Sequence, residues 1–269
     1  MNKAELQEAH KQKRVFYKIL VNGAFGAGKT YFAMTFPKWA YAMIEPHGIT
    51  TALTNPGLME NMVDYEAFSP NSEEDIKATF ERLGAYLGKV REQVKRGEVE
   101  TFILDNLTHF SHMRWMYIEK YEKTFGKSGG VDTLAMFGAL NRYLHRFILT
   151  EVITLPCHVI VPVHQMDEEE SDQSGKRSKT GKIITNTLGG FRDDAAGYFN
   201  ASIYLNVKRG GAGLVYSAQC LPDGVNYAKN NLGLPSTVQN ISYRSIQDAI
   251  SKVSSAEPSS MPVNAQKGA

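Results

Sequence analysis

The chain alternates between short continuous apolar runs and longer segments in which apolar residues recur every three or four positions. The apolar runs are typical of buried strands in a parallel sheet; they span Val15–Val21, Trp39–Ile44, Thr101–Asn106 and His158–Val163. The clearest helical stripe is made of Ile76, Phe80, Leu83, Leu87, Val90 and Val94. Such a stripe predicts a helix that packs against a sheet.

The second half of the chain carries a different pattern. Residues 107–151 are helical in pattern but are interrupted at Gly126–Gly130, which is either a mobile loop near a ligand or a plain helix–helix connection. Ser202–Val207 and Leu214–Leu221 alternate as two strands of a hairpin-like pair. Tyr243–Val253 has the pattern of a final helix.

This order of elements predicts an α/β fold. We expect a mostly parallel central sheet with helices on both faces and an antiparallel C-terminal extension. The domain should span residues 15–253, preceded by an N-terminal arm at 1–14 and followed by a disordered tail at 254–269 that is rich in Ser, Pro and Ala. Residues 49–71 carry turn signals and are predicted to be irregular.

Composition adds few constraints on function. The 269 residues carry a formal net charge of +2, which excludes a highly basic nucleic-acid coat but permits a local basic groove. The two cysteines lie in apolar runs, as expected of a reduced intracellular protein. No window approaches the ~18 apolar residues of a membrane span, and the N-terminal residues lack an apolar signal core. We therefore predict a cytoplasmic protein without a membrane partner.

A glycine-rich stretch after the first strand carries the strongest chemical signal. It matches G-x-x-x-x-G-K-[ST] with Gly23, Ala24, Phe25, Gly26, Ala27, Gly28, Lys29 and Thr30. Backbone N–H groups of such a loop surround phosphates, and the following helix N-terminus adds partial positive charge. Lys29 is expected to reach the outer phosphates, and the Thr30 hydroxyl to bind Mg²⁺. The predicted ligands are ATP and Mg²⁺.

Two carboxylates follow predicted strands. Asp105 ends the third apolar run, where an acid can hold the water shell of Mg²⁺ opposite Thr30. Glu45 follows the second run and precedes a proline. It is either the group that orients or deprotonates an attacking water, or an exposed turn residue.

Polar and charged residues follow the fourth strand. His164 and Gln165 stand at its tip, where polar side chains can sense the γ-phosphate. The segment from Met166 to Thr187 has no apolar period and is predicted to be a long loop, disordered without a partner. Its first half is acidic. Its second half carries the candidate contacts to a DNA backbone, Lys176, Arg177, Lys179 and Lys182.

The order of motifs resembles the RecA-type recombinase core. More narrowly, it is similar to phage-encoded RecA-like P-loop ATPases of the phage nucleotide-binding and single-strand-annealing recombinase family. Four stretches carry the resemblance: Gly23–Thr30 with the strand that ends at Glu45, Ile103–Thr108, Val159–Gln165, and Gly189–Gly190 with the following Ser202–Gly210.

The resemblance implies further roles. Glu45 becomes the catalytic carboxylate beside Lys29, and Gln165 the residue that links nucleotide state to a DNA loop at 166–188. Residues 124–131 become the region of a first DNA loop. Because RecA-type sites lie between subunits, candidates to reach a neighbour's phosphates are Lys208, Arg209 and Lys229.

The sequence departs from the recombinase pattern in the acidic first half of the 166–188 loop and in His164, where recombinases commonly have an apolar residue. The favoured interpretation is a DNA-dependent ATPase that acts on single-stranded DNA in phage recombination, annealing or repair. Its expected partners are its own copies in a filament or ring, with a single-strand-binding protein as a further candidate. The alternatives are a ring-forming helicase-type motor or loader, and a nucleotide-gated binding module with little hydrolysis.

Overall fold

The computed structural model describes residues 16–70, 75–126, 129–171, 175–211 and 213–255. The arm predicted at 1–14 and residues 256–269 of the predicted tail lie outside these ranges.

Strands and helices alternate through the first two thirds of the chain. The strands are β1 (Lys18–Gly23), β2 (Trp39–Met43), β3 (Met62–Ala67), β4 (Thr101–Asp105), β5 (His158–Ser171), β6 (Arg177–Thr185), β7 (Ala201–Gly210), β8 (Gly213–Gln219), β9 (Lys229–Asn230) and β10 (Thr237–Gln239). The helices are α1 (Lys29–Met34), α2 (Thr50–Leu53), α3 (Pro56–Met59), α4 (Ile76–Lys95), α5 (Leu107–Tyr121), α6 (Thr133–Phe147), α7 (Phe191–Asp194) and α8 (Tyr243–Ser255). A π-helical turn at Ile148–Val152 extends α6, and a 3₁₀ turn at Ala195–Tyr198 follows α7.

One sheet joins these strands in the order β10–β8–β7–β1–β5–β4–β2–β3. The pairs from β7 to β3 are parallel, whereas β8 and β10 add antiparallel strands at one edge. The predicted mostly parallel sheet with an antiparallel C-terminal extension is therefore confirmed. Parallel strands bring their carboxyl ends to one edge, and in such sheets ligands bind there.

Helices cover both faces of the sheet, as the alternating burial of β1 illustrates. Leu20 packs with residues of α4, α5 and α6, whereas Ile19 and Val21 pack with residues of α1 and α8 on the opposite face. All three side chains are fully buried. A strand that is apolar on both faces needs two layers of helices, which explains the continuous apolar runs of the sequence.

The prediction that residues 49–71 are irregular was wrong. This segment forms α2, α3 and the edge strand β3, which pairs in parallel with β2. Alternate residues of β3 are exposed, including Val63 and Tyr65. Because only one of its faces is covered, β3 lacks the continuous apolar run that marks the central strands.

The prediction of a disordered loop after His164 was also wrong for the described residues. There β5 continues to Ser171 and pairs with the antiparallel strand β6, which forms a two-stranded ribbon. Lys179 Nζ lies 2.5 Å from Asp167 Oδ2, and Arg177 Nη1 lies 3.9 Å from Glu169 Oε2. The acidic and basic halves thus face each other across the ribbon. Since the ribbon is mostly exposed, it carries no apolar period for sequence reasoning to detect.

The described residues around the glycine-rich interruption connect two helices. Gly126 N donates to Gly130 O at 2.8 Å, and Phe125 and Val131 form an isolated antiparallel bridge. Asp132 then caps α6, since its side chain accepts a hydrogen bond from Ala135 N. Residues 127 and 128 lie outside the described ranges.

Neither of the two cysteines is exposed. Cys157 and Cys220 are free and fully buried. Among the helices of the described residues, none is both long and apolar enough to cross a bilayer.

The core predicts a stability contrast within α6. Leu144 is fully buried whereas Leu134 is 83% exposed. We expect Leu144→Ala to lower the free energy of unfolding by about 2–5 kcal/mol, because it leaves a cavity. The matched change Leu134→Ala should stay within about 0.5 kcal/mol. Urea unfolding of the two variants measures the difference, and equal losses would contradict this packing.

Candidate functional site

The glycine-rich loop lies between β1 and α1, at the carboxyl edge of the sheet. Gly26 and Gly28 have φ values of 75° and 86°, which side chains with a Cβ rarely adopt. A Cβ added at Gly23 would lie 3.1 Å from Ala27 Cβ and 3.2 Å from Leu205 O. The glycines therefore permit both the turn and its close packing against β7. The fixed glycines of the motif stand where the backbone requires them.

The Lys29 ammonium group is held inside the loop. Its Nζ donates to Gly23 O and Ala24 O, each at 2.9 Å, and lies 3.1 Å from His164 Nδ1. The residue is only 7% exposed. Burial lowers the pKa of Lys29, and the carboxylates of Asp105 and Glu45 counter that shift. Lys29 thus uses three acceptors that a bound phosphate could replace.

Asp105 lies at the end of β4 and faces Thr30. Thr30 Oγ1 donates to Asp105 Oδ2 at 2.6 Å, and Tyr41 Oη donates to the same oxygen at 3.0 Å. Asp105 Oδ1 is buried and has no hydrogen-bond partner. Burial raises the pKa of Asp105, whereas the bond from Thr30 lowers it. A buried carboxylate oxygen without a partner, beside a hydroxyl, is the donor set that suits Mg²⁺.

Glu45 is partly buried, so it is not an exposed turn residue. Its backbone N–H donates to Asp105 O at 3.0 Å, which fixes the turn after β2 to the end of β4. Its side chain is 25% exposed and lies 3.5 Å from His164 Nε2. Burial raises the pKa of Glu45, but the hydrogen-bonded His164, with His109 and Lys29 nearby, outweighs it, so the pKa lies below its usual value. Glu45 is therefore ionised at neutral pH.

His164 joins Lys29 to Glu45. Lys29 can only donate, so His164 Nδ1 must accept its hydrogen bond. A neutral imidazole then carries its hydrogen on Nε2, which faces the Glu45 carboxylate. The Asn106 amide also donates to Glu45 Oε2 and lies 3.1 Å from His164 Nε2. One polar chain therefore runs from the phosphate loop to Glu45. The exposed ring of Phe25 covers it, with its centroid 4.0 Å from that of His164.

Three of these residues also form a candidate metal cluster. Glu45, His109 and His164 each offer one ligand atom, and these atoms lie within 4.8 Å of one another. Two imidazoles and a carboxylate suit a transition metal. However, the Asn106 amide contacts both Glu45 and His164, and the Lys29 ammonium contacts the other nitrogen of His164. The hydrogen-bond network accounts for the cluster without an ion.

Gln165 is the residue after His164 and does not belong to the hydrogen-bonded series Lys29–His164–Glu45. It belongs to the part of β5 that pairs with β6, opposite Thr185. Its Oε1 is buried and has no hydrogen-bond partner. The structure thus brings His164, and not Gln165, against Lys29. Gln165 is instead the first residue of β5 that pairs with β6, directly after the polar cluster.

The predicted basic residues lie apart from the loop lysine. Lys176, Arg177, Lys179 and Lys182 are exposed on or beside the ribbon. The Lys182 ammonium lies 5.6 Å from the centroid of the Tyr227 ring. Lys208 and Arg209 are exposed near the end of β7. Lys229 donates to Ala196 O and Gly197 O of its own chain.

A cavity of about 640 Å³ adjoins the glycine-rich loop. Ala27 and Gly28 form its loop side, and Tyr31 and Tyr216 are aromatic residues in its lining. Backbone and side chains at residues 240–242 line it further. Its volume falls within the range of small-molecule sites. A nucleoside attached to phosphates in the loop would have room here.

Sequence reasoning assigned no role to Asn106, His109, Tyr41 or Tyr216. Asn106 follows Asp105 directly, so its place at a strand tip was a usable signal. His109 lies one helical turn further along the chain, and its backbone N–H donates to Asn106 Oδ1 at 2.8 Å. Tyr41 and Tyr216 reach the site only through the pairing of their strands, which no local pattern reveals.

Asn106 offers a test of the network. Both Asn106 and Asp132 cap a helix, but only Asn106 also donates to Glu45. We expect Asp132→Ala to cost about 1 kcal/mol of unfolding free energy. Asn106→Ala should cost about 2–3 kcal/mol, because the partly buried Glu45 carboxylate loses a charge-assisted hydrogen bond as well. Chemical denaturation of both variants checks this, and equal costs would mean that Asn106 acts as a cap alone.

A family model matches most of the chain. The AAA_24 family, described as an AAA domain, matches residues 16–230. No curated protein matches the chain. Among solved structures, a KaiC-like protein from the hyperthermophilic archaeon Pyrococcus horikoshii OT3 has 11% identity and a TM-score of 0.36, with 75% of this chain and 76% of that chain covered. A likeness at that level does not bear on function.

The family match covers well over half of the chain and includes the glycine-rich loop, Glu45, Asp105 and His164. The sheet order and the phosphate loop are those of a RecA-like P-loop fold. The protein belongs to the AAA_24 family and is a P-loop ATPase.

Proposed function

We propose that the protein hydrolyses ATP with Mg²⁺ and that Glu45 is the base that activates the attacking water. The observation that supports this most is the polar chain Lys29–His164–Glu45. It connects the phosphate loop to an ionised carboxylate at the same edge of the sheet. A general base must be unprotonated and within reach of the water that it activates.

Different residues of the site would contact the phosphates, the metal ion and the nucleoside. Backbone N–H groups of Gly23–Thr30 and the Lys29 ammonium hold the phosphates. Thr30 and Asp105 are the residues that would hold Mg²⁺, which when bound neutralises charge on the β- and γ-oxygens. The cavity lined by Tyr31 and Tyr216 accepts the base and ribose.

The polar series Lys29–His164–Glu45 could also make the protein respond to whether ATP is bound. When Lys29 donates to a phosphate, His164 Nδ1 loses its donor. The Nδ1 acceptor then needs another donor, so the position of the His164 ring, and with it the contact to Glu45, depends on whether nucleotide is bound. Because β5 carries His164 and continues into the ribbon, a shift of His164 has a direct route to residues 165–185. We propose that this is how hydrolysis acts on a partner.

Single-stranded DNA is the partner that we propose, on the strength of the sequence resemblance and the basic residues of the ribbon. Asp167 and Glu169 already pair with Lys179 and Arg177, so a DNA backbone would compete with these carboxylates. We therefore propose weak binding that falls steeply with salt. We also propose a homo-oligomer in which exposed Lys208 or Arg209 reaches a neighbour's nucleotide. Lys229 is the weaker candidate, because it bonds to its own chain.

Binding and turnover should separate at Lys29 and Glu45. Lys29→Ala should weaken ATP binding at least about tenfold, since it removes a charge-assisted contact. Glu45→Gln should bind ATP within about twofold of wild type but lose about 10²–10⁴-fold in turnover. Fluorescence binding of an ATP analogue and phosphate release measure the two quantities.

The controls for this test are Lys95→Ala and Glu92→Gln, which remove an exposed ion pair on α4. Both should match wild type. If Glu45→Gln and wild type turn over equally slowly while ATP still changes the oligomer size, the nucleotide-gated module replaces the hydrolase.

DNA dependence should appear as stimulation of ATP turnover by single-stranded DNA at low salt. The double change Lys176→Ala and Arg177→Ala should weaken DNA binding and reduce its salt slope by about 1–2. The control Lys95→Ala with Arg96→Ala removes the same charge from exposed positions at the end of α4. It should leave DNA binding and its salt dependence unchanged. Absence of both stimulation and a gel shift at low salt would refute the DNA proposal while leaving ATP hydrolysis intact.

A further inference from the structure

A buried tyrosine shares the carboxylate that faces the phosphate loop. Tyr41 Oη donates to Asp105 Oδ2 at 3.0 Å, and Thr30 Oγ1 donates to the same oxygen at 2.6 Å. Tyr41 is fully buried in the middle of β2, and β2 pairs with β4 so that Met43 lies opposite Asp105. Tyr41 packs in the same core cluster as Phe32 of α1, so its hydroxyl reaches Asp105 from the buried core and not from the surface.

The two donors differ in what they can do when a ligand binds. Thr30 belongs to the phosphate loop, and its hydroxyl is the group expected to bind Mg²⁺. Tyr41 has no exposed surface, so its hydroxyl has no access to a ligand. Asp105 Oδ1 has no partner of its own. Tyr41 is thus the donor that would stay on Oδ2, whereas Oδ1 and the Thr30 hydroxyl are the groups that would hold Mg²⁺.

We propose that Tyr41 is a positioning residue for the Mg²⁺ site, because its hydroxyl keeps the Asp105 carboxylate oriented for the metal. The inference rests on the proposed function. It adds a residue that lies outside the phosphate loop and outside the strand that ends at Asp105. That residue acts through Asp105.

The electrostatics agree with this role. Burial raises the pKa of Asp105, and the hydrogen bonds from Thr30 and Tyr41 counter that rise. Burial, and then the nearby Asp105 carboxylate, raises the pKa of Tyr41 well above its usual value, so Tyr41 remains a donor.

Gly48, in the turn that follows Glu45, packs against the Tyr41 hydroxyl. A Cβ added at Gly48 would lie 2.0 Å from Tyr41 Oη. Only glycine leaves room for the hydroxyl beside this turn. Gly48→Ala should therefore displace the hydroxyl from Asp105 without removing it, which provides a second and independent variant.

The experiment measures binding of a fluorescent ATP analogue, mant-ATP, across Mg²⁺ concentrations. Tyr41→Phe should raise the Mg²⁺ concentration at half-saturation about 10–100-fold, as expected for loss of a hydrogen bond to a charged group. Binding without Mg²⁺ should stay within about twofold of wild type. Gly48→Ala should change the Mg²⁺ dependence in the same direction.

Tyr86→Phe is the matched control. Tyr86 is also buried, and its hydroxyl donates to Tyr41 O at 3.3 Å, so the control removes a hydroxyl from the same neighbourhood but not from Asp105. It should leave the Mg²⁺ dependence within about twofold of wild type.

Several results would overturn the inference. One is a Tyr41→Phe variant with the Mg²⁺ dependence of Tyr86→Phe, and another is equal weakening of binding with and without Mg²⁺, which would indicate a structural role alone. If circular dichroism shows that Tyr41→Phe does not fold, Gly48→Ala decides by the same criteria. Wild type without any Mg²⁺-dependent binding would refute the proposed function itself, and that outcome is visible before any variant is made.

Discussion

The buried carboxylate of Asp105 is the constraint on which the rest of the site depends. A carboxylate that is 1% exposed needs donors, because water cannot supply them. Thr30 brings the start of α1 to it, and Tyr41 brings β2. Its backbone carbonyl also accepts hydrogen bonds from Ile44 N and Glu45 N. One residue thereby ties the phosphate loop, the second strand and the turn of Glu45 together.

The parallel sheet makes this convergence possible. β1, β2 and β4 end at one edge, where the apolar run of β5 also stops, and each contributes a polar group at or just after that point. Apolar side chains fill both faces of the strands, so polar groups at the tips are the first that can leave the core. Lys29, Glu45, Asp105 and His164 therefore form one cluster although they are spread over more than half of the sequence.

The cluster holds one unpartnered carboxylate oxygen and hydrogen bonds that a ligand could replace, which makes it suited to a ligand. Lys29 occupies two loop carbonyls and one imidazole nitrogen, while Asp105 Oδ1 has no partner. Triphosphate oxygens and a divalent cation would offer these groups stronger partners than they have in the free protein. Binding would thus exchange internal hydrogen bonds for ligand contacts. The exchange at Lys29 necessarily changes the surroundings of His164 and Glu45.

The sequence by itself determined the α/β class, the central strands and the phosphate loop, because each of these rests on local signals: apolar runs, helical spacing and glycines at fixed offsets. It also predicted Asp105 and Glu45 as candidates from their places after apolar runs. It missed β3 and the ribbon, since a strand with exposed faces has no continuous apolar run. Tertiary structure alone decided that His164 contacts Lys29, that Tyr41 reaches Asp105, and that acidic and basic residues pair across the ribbon. Those contacts join residues 12 to 135 positions apart, and only strand order and register bring them together.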